Sequence, residues 1–235
     1  MRFSIVIPAY NEEEVIAKTL GSLRRLGTPR RDYEIIVVDN NSKDRTGEIA
    51  RANKADKVIF EREPGTNFAR EAGRKAAEGE IIAFLDADST PPMDWLSRIE
   101  ADLSEPGMAA VSGPFDYGFK GIMRFVDKAY SKHFLPNVPK ILRTLFWRKA
   151  GVIIGGNFAA WNWALEKIGG LPPLKFYGDD VAIAMLLSRH VGKVRFDPEL
   201  SVKSSPRRFE KEGLFATNFR YIGAYLKIYF SKEFR

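Results

Sequence analysis

Asp86 and Asp88 stand one residue apart at the exit of the apolar run Ile81-Ile82-Ala83-Phe84-Leu85. Side chains at i and i+2 of an extended chain leave on the same side. Two carboxylates held that close repel each other and take up a proton unless a cation or basic group lies between them. No Cys occurs in the chain and neither His is near, so a cation bound here would be a hard ion held by oxygen. Mg2+ or Mn2+ fits that description, completing its shell with water and substrate phosphate. The same residues read equally well as turn aspartates, one of them capping a helix that begins near Pro91-Pro92.

Carboxylates with such a role need a frame, and the surrounding pattern supplies one. Phe3 to Pro8 is a buried-strand pattern running into a helix from about Glu12 to Arg25. Tyr33 to Asp39 repeats the pattern, followed by Asn40-Asn41-Ser42 and a helix through Ile49. Lys57 to Phe60, a helix through Arg70 to Ala77, and the strand before Asp86 continue the alternation. Near-continuous apolar strands alternating with helices predict a mostly parallel central sheet flanked by helices. Ligands of such sheets bind at the carboxyl ends of the strands. Asp39, Asp86 and Asp88 all lie at such ends, facing one crevice.

Five stretches in this order carry a family resemblance: Ser4 to Glu13, Ile36 to Thr46, Phe84 to Asp88, Gly155-Gly156-Asn157-Phe158, and Gly178-Asp179-Asp180. Together they resemble a family 2 glycosyltransferase with the GT-A fold. The matches span residues 4 to 180, and Arg207-Arg208 resembles a basic pair found in many members. The first and third stretches are common in isolation; the ordered set is specific.

The resemblance implies a role for each residue. Asp88 would coordinate a Mn2+ or Mg2+ on the diphosphate of a nucleotide-sugar donor, with Asp86 and Ala87 against the ribose or the metal shell. Pro8, Ala9, Tyr10 and Glu12 would line the nucleoside pocket, and Asp39 would hydrogen-bond the base. Arg70 sits early in a helix, where its guanidinium and the helix amides could meet phosphate; a surface helix cation is the competing reading. Gly156 and Asn157 would approach the sugar and acceptor, although Gly155-Gly156 is also an ordinary loop pair. Asp180 would be the general base. Asp179 stands where members commonly carry Glu, and a helix from Val181 leaves either aspartate open to being an N-cap. Arg207 and Arg208 would close over the diphosphate or stay at the surface. His133 and His190 have no partner spacing and read as structural.

With 235 residues the chain is large enough for one domain, read as a catalytic unit over 1–212 with a nucleotide-binding half (1–113), an acceptor-binding half (114–212) and an amphipathic helix at 213–235. Lack of Cys removes a disulfide framework. The N-terminus runs into a strand without a signal-peptide pattern, and the longest uncharged stretch, 150–165, is too short and polar to span a bilayer. A cytoplasmic chain, free or peripheral on the membrane, is the expectation.

The net charge of +7 is local: residues 120–149 hold eight Lys/Arg against Asp127 alone, and elsewhere acids and bases cancel. Lys120, Arg124, Lys128 and Lys132 fall on one helical stripe beside Ile122, Phe125, Val126 and Ala129. Such a basic amphipathic insert suits an anionic membrane surface, or else covers the sheet with its cations in water. No nucleic-acid module is present to make nucleic acid the partner. These readings converge on an inverting, metal-dependent transferase from a nucleotide-diphosphate sugar, UDP-linked by preference, to a glycan or lipid-linked acceptor. The alternatives are a non-catalytic nucleotide-sugar-binding module that docks on membranes, and a nucleotidyltransferase, whose Gly-rich loop is missing after the first strand.

Overall fold

The computed structural model describes residues 1–147, 149–174, 178–207, 223–224 and 226–231. Its first half alternates β1 (Phe3–Ala9), α1 (Ile16–Leu23), β2 (Tyr33–Asp39), α2 (Thr46–Ala52), β3 (Lys57–Phe60), α3 (Thr66–Lys75), β4 (Ile81–Leu85), α4 (Trp95–Leu103) and β5 (Met108–Ser112). Next come β6 (Phe115–Asp116), α5 (Gly121–Ala129), α6 (Val138–Phe146), β7 (Asn157–Trp161), α7 (Asn162–Lys167), α8 (Asp179–His190), β8 (Lys193–Phe196) and β9 (Val202–Lys203). Seven strands form one sheet in the order β3-β2-β1-β4-β7-β5-β8. All neighbours are parallel except β7, which runs antiparallel to both β4 and β5. The sheet therefore crosses position 113, because β7 is inserted between two strands of the first half.

Both faces of the sheet are covered, as continuously apolar strands require. Along β1, Phe3, Ile5 and Ile7 pack on one face with α1 and with Trp95, Leu96 and Ile99 of α4. Val6 points to the other, with Phe84, Phe158, Ile183 and Leu187. Each of these side chains is fully buried and contributes roughly 1.5–3 kcal/mol of transfer free energy. The two layers leave the carboxyl ends of β1, β2 and β4 open at one rim.

Helix ends depart from the sequence reading at two places that matter. α1 begins at Ile16 rather than Glu12, because the loop after β1 is tied sideways instead of winding up. Glu12 donates its backbone N–H to Thr46 Oγ1 (2.8 Å), and the Asn11 side chain accepts from Lys43 N (2.7 Å). Asn11 has φ 54°, a left-handed conformation that Asn tolerates. α8 begins at Asp179, so both aspartates lie within its first turn. Its N-cap is Gly178, at φ 96°, with no side-chain cap hydrogen bond. Neither aspartate is the N-cap; both carboxylates sit where the helix dipole favours negative charge.

The tail expected at 213–235 lies mostly outside the described residues. Within it, Ile228 and Tyr229 are buried against Val181, Ala182 and Met185 of α8 and Leu142 of α6.

Candidate active site

At the end of β4 the chain turns tightly, Ser89 N donating to Asp86 O (3.1 Å). Asp86 and Asp88 thus leave the strand in a turn rather than in extended backbone, and each meets a different arginine. Asp86 Oδ1 lies 3.3 Å from Arg70 Nη2, whose other terminal nitrogen reaches Asp179 Oδ2 at 2.9 Å. Asp88 Oδ2 lies 3.2 Å from Arg207 Nη2, which also donates to Glu12 Oε2 at 2.6 Å. Ser204 Oγ adds a 3.3 Å contact to Asp88 Oδ1. Two guanidiniums thereby join β1's exit, the β4 turn, the start of α8 and the segment after β9 into one cluster.

Arg70 is 4% exposed, which removes the surface-cation reading. It stands on the buried face of α3, and its Nε has no hydrogen-bond partner among the described residues. The glycine pair before β7 makes room for this arrangement. A Cβ on Gly155 would come within 2.8 Å of Arg70 Nη1, and one on Gly156 within 2.0 Å of the Asp86 carboxyl carbon. The close approach at these glycines is therefore to the protein's own ion pair. Gly156→Ala should push Asp86 off its position and cost about 1–3 kcal/mol of stability. Thermal denaturation alongside nucleotide binding would check both effects.

Asn157, expected at the sugar or acceptor, is fully buried. Its Oδ1 accepts from Trp95 Nε1 (3.0 Å), and its Nδ2 donates to Leu200 O (2.7 Å) and Pro114 O (3.1 Å). Every polar group of the amide is spent on the core, so this side chain is a brace between β7, α4 and β9's approach rather than a ligand contact. Asp39 Oδ1 accepts from Ser42 N (2.9 Å), closing the loop after β2. Pro8 is half-buried, Ala9 and Ala87 are buried, and Tyr10 is exposed at the rim. Arg208 lies outside the described residues. Ser204, which touches Asp88, carries no signal in the sequence beyond its position three residues before Arg207.

Electrostatics sort the acids. Burial, and then the adjacent negative charge of Asp179, push Asp180 up to about 7, against hydrogen bonding from Val181 N and the charge of Arg70. Burial also raises Glu12; Arg207 opposes this, while Asp88 and Asp86 add to it. Glu12, Asp86, Asp88 and Asp179 are paired with Arg70 and Arg207, and Asp180 lies next to Asp179. Among the described residues of the cluster, acids outnumber bases.

The family's sequence profile, described as glycosyl transferase family 2, matches residues 4–168. This chain belongs to glycosyl transferase family 2. It is 31% identical over 216 residues to the probable glycosyltransferase YdaM of Bacillus subtilis, covering 84% of this chain and 49% of that protein. Glycosyltransferase AglE of Haloferax volcanii is 36% identical over 121 residues, 49% of this chain and 40% of that protein. The chain thus spans about half or less of the curated relatives it matches. Among solved structures, the mannosyltransferase PcManGT of Pyrobaculum calidifontis, in complex with GDP-Man and Mn2+, superimposes with a TM-score of 0.68 at 22% identity. That match covers 98% of this chain and 70% of the other, and it establishes the GT-A fold.

A divalent cation fits the cluster of this family 2 chain by its chemistry. Among the described residues no three His, Cys, Asp or Glu gather as a ready-made metal cage. Asp86 and Asp88 are the two carboxylates of the β4 turn that could serve as protein ligands. Mg2+ and Mn2+ are commonly held that way, with water and substrate phosphate completing the shell.

Proposed function

We propose that the chain transfers a sugar from a nucleotide-diphosphate donor, UDP-linked by preference, to a hydroxyl of a glycan or lipid-linked acceptor, with inversion. The observation carrying this reading is that Arg70 ties Asp86 of the β4 turn to Asp179 at the start of α8, at the carboxyl rim of the sheet. Asp88 and Asp86 would hold Mn2+ or Mg2+, which when bound neutralises charge on the leaving diphosphate. Pro8, Ala9, Tyr10, Glu12, Asp39 and Ala87 would surround the nucleoside. Arg207 would move from Glu12 and Asp88 onto the diphosphate, exchanging carboxylate for phosphate oxygens, and Arg208 would join it there.

Asp180 takes the proton of the acceptor hydroxyl. The freed oxygen attacks the anomeric carbon, and the bond from that carbon to the diphosphate breaks, its electron pair leaving with phosphate. Attack from the opposite face inverts the centre, which suits a site with a base and no evident protein nucleophile. Asp179, held by Arg70, orients the turn that carries Asp180. Mn2+ and a nucleotide sugar in the structure of PcManGT support the donor class and the cation.

Thermal-shift screening against UDP-, GDP- and dTDP-sugars with and without Mn2+ tests the reading. A donor at a hundred times its Kd should stabilise the protein by about 2.7 kcal/mol, and only with the metal present. No shift with any nucleotide sugar would sink the proposal.

A further inference from the structure

Residues 120–147 form an element whose apolar side is turned outward. α5 buries none of its residues, and Ile122 and Phe125 are 79% and 74% exposed. Val126, Tyr130 and Phe134 continue the same face through a π-helical turn (Tyr130–Phe134), where the Tyr130 and Phe134 rings stack at 5.2 Å. Together with Ala129 and His133 they line a shallow apolar groove of about 510 Å3. A helix covering the sheet would bury these residues; the cover-helix reading of the sequence is therefore incorrect for α5. Six cations flank the face, Lys120, Arg124, Lys128, Lys132, Lys140 and Arg143, all exposed. Asp127 is the one acid of the segment, and of the six only Lys132 has a described ion pair, to Glu199 at 3.7 Å.

We infer that this face is a docking surface for an anionic lipid bilayer. Charge complementarity selects that occupant: the described element nets +5 of the chain's +7, beside aromatic and aliphatic side chains at helical spacing, the combination that settles in a headgroup layer. An apolar protein partner would not require so one-signed a border.

The surface is also placed for use. α5 follows directly from β6, which pairs with β9 (Phe115 with Val202), and Ser204 just beyond β9 touches Asp88. At the other end, Leu142 of α6 packs on Val181 and Ala182, immediately after Asp180. The element thus springs from the metal-side wall of the cleft and ends on the helix carrying the base. A bilayer seated on it would present a lipid-anchored acceptor hydroxyl at the cleft's edge; this consequence, unlike the surface itself, rests on the proposed function.

The test is flotation of the whole protein with vesicles of phosphatidylcholine alone and of equal parts phosphatidylcholine and phosphatidylglycerol. Binding should need the anionic lipid and fall as salt rises. Each cation near such a surface contributes about fivefold to partition, so replacing Lys120, Arg124, Lys128 and Lys132 with Gln should weaken binding at least about a hundredfold. Ile122→Ser with Phe125→Ser should weaken it at least about tenfold; both positions are exposed, so circular dichroism should show an unchanged fold. Absence of binding to anionic vesicles, or binding that survives both sets of substitutions, would overturn the inference. So would a dimer in sedimentation velocity that Ile122→Ser with Phe125→Ser dissolves, since the face would then serve a second copy. Mn2+-dependent nucleotide binding by the same variants without vesicles reports on the proposed function separately.

Discussion

Replacing Asp180 with Asn should leave Mn2+-dependent donor binding near that of the unaltered protein and lower kcat by roughly 10^2 to 10^4, the range general base catalysis supplies. The expectation has a pH signature. A carboxyl pushed up to about 7 by burial and by Asp179 is protonated, and idle as a base, below that pH. The kcat/KM of the unaltered protein should therefore rise tenfold per pH unit below about 7 and level off above it. The Asn variant should lose that limb. For folding the sign is opposite to that of an ion-paired carboxylate. The native state binds this proton more tightly than an unfolded chain, whose Asp titrates near 3.8, so the contribution of Asp180 to stability declines between there and about 7. Full activity in Asp180→Asn, with the loss appearing in Asp179→Asn instead, would transfer the role of base to Asp179.

Asp88→Asn should abolish metal-dependent nucleotide binding and reduce turnover by at least about a thousandfold, since a cation's stabilisation of a leaving group is worth several kcal/mol. The fold should survive. Asp88 is at the open rim, and Arg207 keeps its 2.6 Å partner Glu12 when the Asp88 charge is gone. Isothermal calorimetry with Mn2+ and a nucleoside diphosphate would measure the loss. Unchanged affinity in that variant would remove Asp88 from the metal.

The layout of strands and helices was legible because it is written in local periodicity. Continuous apolar runs such as Ile35 to Val38 have no polar face to expose, so they must be central strands, and the acids that end them must line the rim. The insertion of β7 antiparallel between β4 and β5 was not legible, because Asn157 to Trp161 carries no signal of direction or neighbour. Asn157 misled for a related reason. An amide beside two glycines resembles a ligand contact in sequence, and only the packing of Trp95, Pro114 and Leu200 around it shows that its hydrogen bonds are already made.

The sequence by itself determined the family, through the resemblance of five ordered stretches; the mostly parallel sheet, the acids at its carboxyl rim and the confinement of net charge to residues 120–149 follow from residue type and short-range spacing. The tertiary structure alone decided which charges meet. Arg70 is 16 residues from Asp86 and 109 from Asp179, and Arg207 is 195 from Glu12, separations across which side-chain pairing leaves no periodic trace. It also decided which way α5 faces. Apolar and basic stripes read the same whether a helix lies on a core or on a bilayer, and only the tertiary structure shows that Ile122 and Phe125 are exposed.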